Sequence, residues 1–301
     1  MRRPGAASAC SSRRSRCSSP PGSGSSTATA SKAAVRRSSE HVRSFLVGRA
    51  WLLAFVYRRL GIVAGAQKSG TSALDHYLRE HPELCLPRRK ELHFFDTDRN
   101  FAAEPVDYAA YHAAFAPGPG QRLLGEVTPA YLYWPTAAQR IARYNPAMRL
   151  IMVLRSPITR AFSHWNMSRQ KRREHLAFLQ ALAAEPERVR TLPLEQAKRF
   201  TYADRGFYTQ QLKRLWRHFP QEQTIVFKSE ELLAASAAVL ARIADFLDIA
   251  PFPPIADKTV HAREYDTTMT AEEKRYLIGV FEPEVRELER LLRWDCSAWL
   301  A

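Results

Sequence analysis

The segment GIVAGAQKSGTS, residues 61–72, decides how the rest of the sequence is interpreted. Its first half, GIVAGA, has the length and apolar composition of a short buried strand, and SALDHYLREH (72–81) has helical spacing. A glycine-containing turn that joins a strand to a helix is typical of a phosphate-binding loop, because backbone N–H groups and the positive helix end then face an anion. The alternative interpretation is a helix entry that only requires small residues.

The loop departs from the nucleoside-triphosphatase pattern G-x-x-x-x-G-K-[ST] at its lysine. Gly65, Gly70 and Ser72 occupy the expected positions, but Thr71 replaces the lysine and Lys68 lies three residues earlier. The segments VLRSP and EVTP, which follow later candidate strands, supply no Walker B aspartate. A P-loop nucleotide kinase or NTPase-like nucleotide-binding protein is therefore the disfavoured alternative.

Candidate strands and helices alternate along the rest of the chain. We predict strands at 122–127, 149–154 and 223–227, and helices near 136–144 and at 158–174, 209–219, 236–249 and 271–293. This alternation indicates an α/β domain, a P-loop-like three-layer fold with a central parallel sheet flanked by helices. Ligands of such sheets bind at the carboxyl ends of the strands, so the loops after residues 66, 127 and 154 are expected to form one site.

The N-terminal part differs in composition from the rest. Residues 1–60 hold 12 Lys or Arg and one acidic residue, whereas residues 61–301 hold 33 and 29. Few large apolar residues occur in 1–44, which predicts a disordered basic tail; an organelle transit peptide has a similar composition. The apolar segment 45–60 contains Arg49 and is shorter than the about 20 residues of a spanning helix. We predict a short N-terminal helix there, with a type II membrane anchor as the alternative.

Charge and cysteine content bound the function further. Because most of the positive charge lies in the tail, the folded part suits a nucleotide pocket better than a nucleic-acid groove, and no nucleic-acid partner is expected. A non-catalytic nucleotide- or nucleic-acid-binding protein that uses the tail is the third hypothesis. The four cysteines (Cys10, Cys17, Cys85, Cys296) form no C-x-x-C pair, which predicts neither a disulfide framework nor a metal site. The expected location is the cytoplasm, with the Golgi lumen or an organelle as alternatives.

A second anion-binding signal lies in RLIMVLRSPITRAFSHW (149–165). Arg155 follows the most apolar strand, and Ser163 lies two helical turns later. A guanidinium and a hydroxyl in these positions can hold one phosphate, although arginines at strand ends often pair with acids instead. With the first loop, this segment predicts two phosphate sites on one nucleotide.

The two segments resemble the 5′-phosphosulfate loop and the 3′-phosphate motif of PAPS-dependent sulfotransferases. The likeness is to the carbohydrate branch, the heparan-sulfate-type enzymes and their bacterial sulfotransferase-domain relatives. It extends through residues 61–299 by way of KELHFFD (90–96), GEVTPAYLYWP (125–135), RGFYTQQLKRLWRHFP (205–220) and the C-terminal segments MTAEEKRYL and RLLRWDCSAW.

The resemblance implies transfer of a sulfuryl group from 3′-phosphoadenosine 5′-phosphosulfate (PAPS) to an acceptor hydroxyl or amine, with 3′,5′-ADP as product and no metal. It places Lys68 against the bridging oxygen, where leaving-group charge develops. The donor-binding residues implied by family position are Lys68, Ser69, Gly70, Thr71 and Ser72 at the 5′ end and Arg155, Ser163, Tyr208 and Arg263 at the 3′-phosphate or adenine end.

The resemblance also implies a general base. ELHFFD matches the block of the heparan glucosaminyl 3-O-sulfotransferases in which the catalytic glutamate precedes H-F-F-D. By position, Glu91 is the base, and His93 and Asp96 orient it and the acceptor; His93 is the alternative base, as in other sulfotransferases. A solvated loop acid and a core histidine are the non-catalytic interpretations.

Two departures from the family pattern bear on the acceptor. Val127 replaces the lysine of the family's E-K-T-P-A-Y segment, and Cys296 has no partner for the C-terminal disulfide hairpin. Heparan sulfate is therefore not the expected acceptor, and we predict a carbohydrate, glycolipid or small-molecule hydroxyl. The basic, aromatic segment 164–175 either lines the acceptor cleft or forms a solvated helix face. The sequence predicts no oligomeric state.

Overall fold

A computed structural model describes residues 60–254, 265 and 267–301. The predicted tail, all but the last residue of the predicted N-terminal helix, and Arg263 lie outside these residues. Every helix in the described part is too short or too polar to cross a membrane.

Five parallel strands form the central sheet in the order β2-β3-β1-β4-β5. The strands are β1 (Leu60–Gly65), β2 (Leu84–Cys85), β3 (Leu123–Val127), β4 (Arg149–Leu154) and β5 (Thr224–Lys228). The central strand β1 pairs with β3 on one side and β4 on the other, with Val63 opposite both Val127 and Ile151. The predicted parallel sheet is confirmed.

Helices lie in the connections between the strands and after β5. In chain order they are α1 (Thr71–Arg79), α2 (Ala109–His112), α3 (Ala137–Tyr144), α4 (Pro157–Gln170), α5 (Phe178–Thr191), α6 (Leu194–Ala197), α7 (Tyr208–Leu215), α8 (Ser229–Ala234), α9 (Ser236–Leu247) and α10 (Ala271–Leu292). Short 3₁₀ segments lie at Asp98–Phe101, Asp204–Gly206, Gln221–Gln223 and Ser297–Trp299.

Apolar side chains on both faces of the sheet produce three layers. Because successive strand residues point to opposite faces, Leu150 and Met152 of β4 pack into a core with α3, α4, α7 and α10, whereas Ile151 and Val153 pack against α1 and α9. The predicted three-layer α/β arrangement is therefore confirmed.

Two predicted helices end earlier than their sequence pattern indicates. The helix predicted at 158–174 ends at Gln170, because Arg172 has a φ of 54° and reverses the chain. The helix predicted at 209–219 ends at Leu215. The α5 helix was not predicted, since Pro186 within it disfavours a helix at the sequence level.

The carboxyl ends of three neighbouring strands are joined by backbone hydrogen bonds. Leu132 N donates to Ala64 O at 2.8 Å, and Ala66 N donates to Val153 O at 2.8 Å. A Cβ atom on Gly65 would lie 2.6 Å from the Leu132 side chain, so only glycine allows this approach. The loops after β1, β3 and β4 therefore meet at one edge, as predicted.

Candidate active site

The loop after β1 has the backbone of an anion-binding turn. Lys68 and Gly70 adopt positive φ values of 70° and 93°, and Gly70 begins α1 without a side-chain cap. Ser69 Oγ is buried beside the Tyr208 hydroxyl, and apart from that hydroxyl it has no hydrogen-bond partner within the described part of the chain. An uncapped helix start and a buried hydroxyl that can make further hydrogen bonds fit a phosphate group.

Arg155 lies at the end of β4 beside this loop. Its Nε donates to Thr159 Oγ1 at 2.8 Å and its Nη1 approaches Lys68 O at 3.5 Å. The Tyr208 hydroxyl donates to Arg155 O at 3.0 Å. Burial raises the pKa of Tyr208 to about 12, so the phenol is neutral. The structure thus brings Arg155 and Tyr208 together with the β1 loop.

Ser163 on α4 is buried and shares a hydrogen bond with the Tyr265 hydroxyl. The Tyr265 ring also contacts Phe162 edge to face, with centroids 6.2 Å apart. A cleft of about 340 Å³ opens here and is lined by Arg155, Thr159, Phe162, Tyr265, Thr267, Thr268 and Met269. Tyr265 was missed by the sequence interpretation, which selected Arg263 from the same HAREY segment.

The three predicted acid–base residues form a chain of polar contacts. Asp96 is fully buried, and its Oδ2 lies 2.8 Å from His93 Nδ1. His93 Nε2 lies 3.5 Å from Glu91 Oε2. Glu91 and His93 are partly exposed, so the chain runs from the interior towards solvent.

These contacts determine the protonation states of Glu91 and His93. The hydrogen bonds of His93 to Asp96 and then to Glu91 raise the pKa of His93 to about 9. The hydrogen bond from His93 lowers the pKa of Glu91 to about 2. At neutral pH, Glu91 is therefore a carboxylate and His93 an imidazolium.

Lys90 connects the Glu91–His93–Asp96 contacts to the β1 loop. Its Nζ donates to Ser72 Oγ at 2.9 Å and to Glu91 Oε1 at 3.3 Å. The predicted donor loop and the predicted base thus share one cation. Lys90 was not selected from the sequence, although KELHFFD contains it; its spacing from Ser72 gives no sign of the contact.

A buried cationic cluster lies close to Lys68. Arg160 and Arg205 are buried, and Arg160 Nε, Arg160 Nη1 and Arg205 Nη1 find no hydrogen-bond partner within the described residues. Burial, then Arg205, Arg160 and Lys68, lower the pKa of His164 far below its ordinary value. The resulting positive charge suits a polyanionic ligand. Sequence reasoning missed these residues because nothing in their spacing marks them as buried.

Val127, which replaces a lysine of the family pattern, lies in the core. Its side chain is 1% exposed and packs in the core beside α1, so position 127 presents no side chain to an acceptor. Its carbonyl accepts a hydrogen bond from Glu91 N at 3.1 Å.

Among the described residues, no three His, Cys, Asp or Glu side chains converge as a metal site. Cys85 and Cys296 are free and buried.

The raised pKa of His93 predicts a pH-dependent stability. A raised folded-state pKa stabilises the protein fully below the ordinary value of 6.5, and this contribution is lost as the pH rises through about 9. Between pH 6.5 and 9, we expect the Tm of the wild type to fall by roughly 2 °C more than that of His93→Gln, a small effect because His93 is partly exposed. An NMR titration should place the His93 midpoint near pH 9. A midpoint near 6.5 would contradict the ion pair.

Comparison with known proteins identifies the family of the chain. The family model described as "Sulfotransferase domain" matches residues 61–276. Heparan sulfate glucosamine 3-O-sulfotransferase 5 of Mus musculus is 27% identical over 193 residues, which are 63% of this chain and 53% of that protein. Heparan sulfate glucosamine 3-O-sulfotransferase 3B1 of Homo sapiens is 31% identical over 188 residues, 62% of this chain and 45% of that protein. The match thus spans about half the length of these relatives.

A crystal structure of a sulfotransferase from Alicyclobacillus acidocaldarius has the same fold. The two structures superpose with a TM-score of 0.67 at 31% sequence identity, over 80% of this chain and 98% of that chain.

Proposed function

Because the chain belongs to the sulfotransferase domain family, we propose that it moves a sulfuryl group from PAPS to a hydroxyl or amine of a carbohydrate-type acceptor. The observation that carries the proposal is the contact of Lys90 with both Ser72 of the β1 loop and Glu91. This contact supports the proposal because it brings Glu91 next to the β1 loop, and group transfer requires the donor and the base to lie close together.

The proposed donor fits the residues at both ends of the nucleotide site. The β1 loop from Ser69 to Ser72, with its uncapped helix start, would hold the 5′-phosphate, and Arg155 and Ser163 would hold the 3′-phosphate. PAPS supplies an activated sulfuryl group when it is bound. Lys68 is then the cation that stabilises negative charge on the leaving phosphate.

Glu91 is the proposed general base. At neutral pH it is an unprotonated carboxylate with a lone pair that can accept a proton, whereas His93 is already protonated and serves to orient Glu91. The low pKa of Glu91 depends on its contacts with His93 and Lys90. An acceptor hydroxyl that displaces one of these contacts raises that pKa and makes Glu91 a stronger base.

The proposed acceptor is a sugar hydroxyl on a polysaccharide, a glycolipid or a glycosylated small molecule. The curated relatives named above are heparan sulfate glucosamine 3-O-sulfotransferases. Here position 127 is a buried valine, and Lys198 Nζ lies 3.9 Å from Asp96 Oδ2. The partly exposed Lys198 ammonium beside the Glu91–Asp96 loop suits hydrogen bonds to the hydroxyl groups of a sugar.

A transfer screen tests the proposal. Purified protein is incubated with PAPS that carries ³⁵S-sulfate and with a panel of glycans, glycolipids and small alcohols, and 3′,5′-ADP release is measured in parallel. We expect label in one acceptor class together with equimolar 3′,5′-ADP. Transfer to small alcohols with none to glycans would overturn the carbohydrate assignment, and hydrolysis of PAPS without labelled acceptor would overturn the transfer.

Replacing Arg155 tests the 3′-phosphate site. Loss of a charge-assisted contact of about 1.5–3 kcal/mol should weaken 3′,5′-ADP binding by about 10- to 100-fold in Arg155→Ala. Binding of 5′-AMP, which lacks the 3′-phosphate, should change little. Isothermal titration calorimetry measures both, with the exposed Arg190→Ala on α5 as the matched control. Equal losses for both nucleotides would contradict a 3′-phosphate contact.

A further inference from the structure

The segment EVTPAY (126–131) contains a buried carboxyl group whose role the proposed reaction does not explain. Glu126 on β3 is 1% exposed and accepts hydrogen bonds from three hydroxyl groups. These come from Tyr111 at 2.7 Å, Thr128 at 2.7 Å and Tyr131 at 2.5 Å. A carboxyl group satisfied in this way is a fixed anchor in the core, because moving any one hydroxyl leaves a buried polar atom unpaired.

Tyr131 connects this anchor to the acid–base loop. Its hydroxyl donates to Glu126 Oε1 and accepts a hydrogen bond from Phe94 N at 3.0 Å; Phe95 N lies 3.5 Å away. Phe94 and Phe95 are the two residues between His93 and Asp96 in the sequence. The buried tyrosine thus holds the backbone that sets the separation of the His93 and Asp96 side chains.

The other end of the same loop is held by the same segment. Glu91 N donates to the carbonyl of Val127, the residue after Glu126. Glu91 and His93 both have positive φ values, 61° and 54°, which non-glycine residues adopt only when their surroundings impose them. Two attachments to one buried strand end supply that constraint.

We propose that Tyr131 is a positioning residue for sulfuryl transfer: anchored on Glu126, it fixes the backbone between His93 and Asp96 and thereby the geometry of the Glu91 base. This inference rests on the proposed function. The hydroxyl acts on the acceptor half of the site, since its contacts are with Phe94 and Phe95 of the Glu91–Asp96 loop and with Glu126.

The test compares two Tyr→Phe variants that remove one hydroxyl each from the same carboxyl group. Tyr131→Phe breaks the link to the loop, whereas Tyr111→Phe removes a hydrogen bond to Glu126 Oε2 and leaves the loop attached. We expect kcat to fall about 10- to 100-fold in Tyr131→Phe, with the Kd for 3′,5′-ADP unchanged. In Tyr111→Phe, kcat should stay within about threefold of the wild type at a similar loss of Tm.

NMR provides a readout that a merely structural role would leave unchanged. In Tyr131→Phe, the His93 titration midpoint should shift from about 9 towards its ordinary value, because the contact with Asp96 loosens. In Tyr111→Phe it should not. Equal loss of kcat in both variants, or an unchanged His93 midpoint with wild-type kcat in Tyr131→Phe, would overturn the inference. Failure of the proposed function is distinguishable, because wild-type protein would then transfer no label at all.

Discussion

Replacing Glu91 by glutamine should lower kcat for sulfuryl transfer by about 10²–10⁴-fold, the contribution of a positioned general base. Glutamine keeps the size of the side chain but cannot take up the proton of the acceptor hydroxyl. Binding of 3′,5′-ADP should stay within about twofold of the wild type, because the effect is confined to proton transfer. Steady-state kinetics with labelled PAPS and calorimetry with 3′,5′-ADP measure the two quantities.

An exposed glutamate provides the control for this substitution. Glu187 on α5 pairs with Arg190 at the surface, so Glu187→Gln should leave kcat unchanged. Turnover retained in Glu91→Gln and lost in His93→Gln would transfer the base role to His93. That outcome would also require a His93 pKa well below the value of about 9 that its contacts with Asp96 and Glu91 impose.

Replacing Lys68 by methionine should lower kcat by about 10²–10³-fold, the usual cost of removing one contact to a developing negative charge. Methionine has a similar length and no charge. Because the lysine acts mainly on charge that develops during transfer, the KM for PAPS should rise much less than kcat falls. The kinetics are measured at varied PAPS and at a saturating concentration of the acceptor found in the screen.

Lys213→Met is the matched control, since Lys213 is half exposed on α7 and pairs with Glu287. It should have wild-type kinetics. If Lys68→Met raised only the KM for PAPS and left kcat unchanged, Lys68 would bind the ground state of the donor, and its proposed role towards the leaving group would be wrong.

The strands that carry the site could be predicted because each is a short apolar run. The run RLIMVL (149–154) coincides with β4, and GIVAGA (61–66) overlaps β1 apart from one residue at each end. The two-residue strand β2 escaped detection, since two residues show no period. The early end of α4 could not be predicted, because it depends on the backbone conformation of Arg172, and composition does not determine that conformation.

The site itself was predictable where one short segment supplies the chemistry. The resemblance to the family predicted Glu91, His93 and Asp96 as site residues, and in the structure His93 contacts both acids. The contact between Lys90 and Ser72, 18 residues apart, required the fold. The same holds for the hydrogen bond from Phe94 N to the Tyr131 hydroxyl, because the two residues are 37 positions apart in the sequence. Arg263 lies outside the described residues, and its role stays a prediction.

The most direct test is calorimetric titration of the wild-type protein with 3′,5′-ADP in EDTA and with ATP in magnesium. We predict tight binding of 3′,5′-ADP without a metal ion and weak binding of ATP, because the β1 loop has Thr71 in place of the Walker lysine and Arg155, which lines the cleft, is the proposed ligand of the 3′-phosphate. A clear preference for ATP with magnesium, and no measurable binding of 3′,5′-ADP, would contradict a PAPS-dependent sulfotransferase.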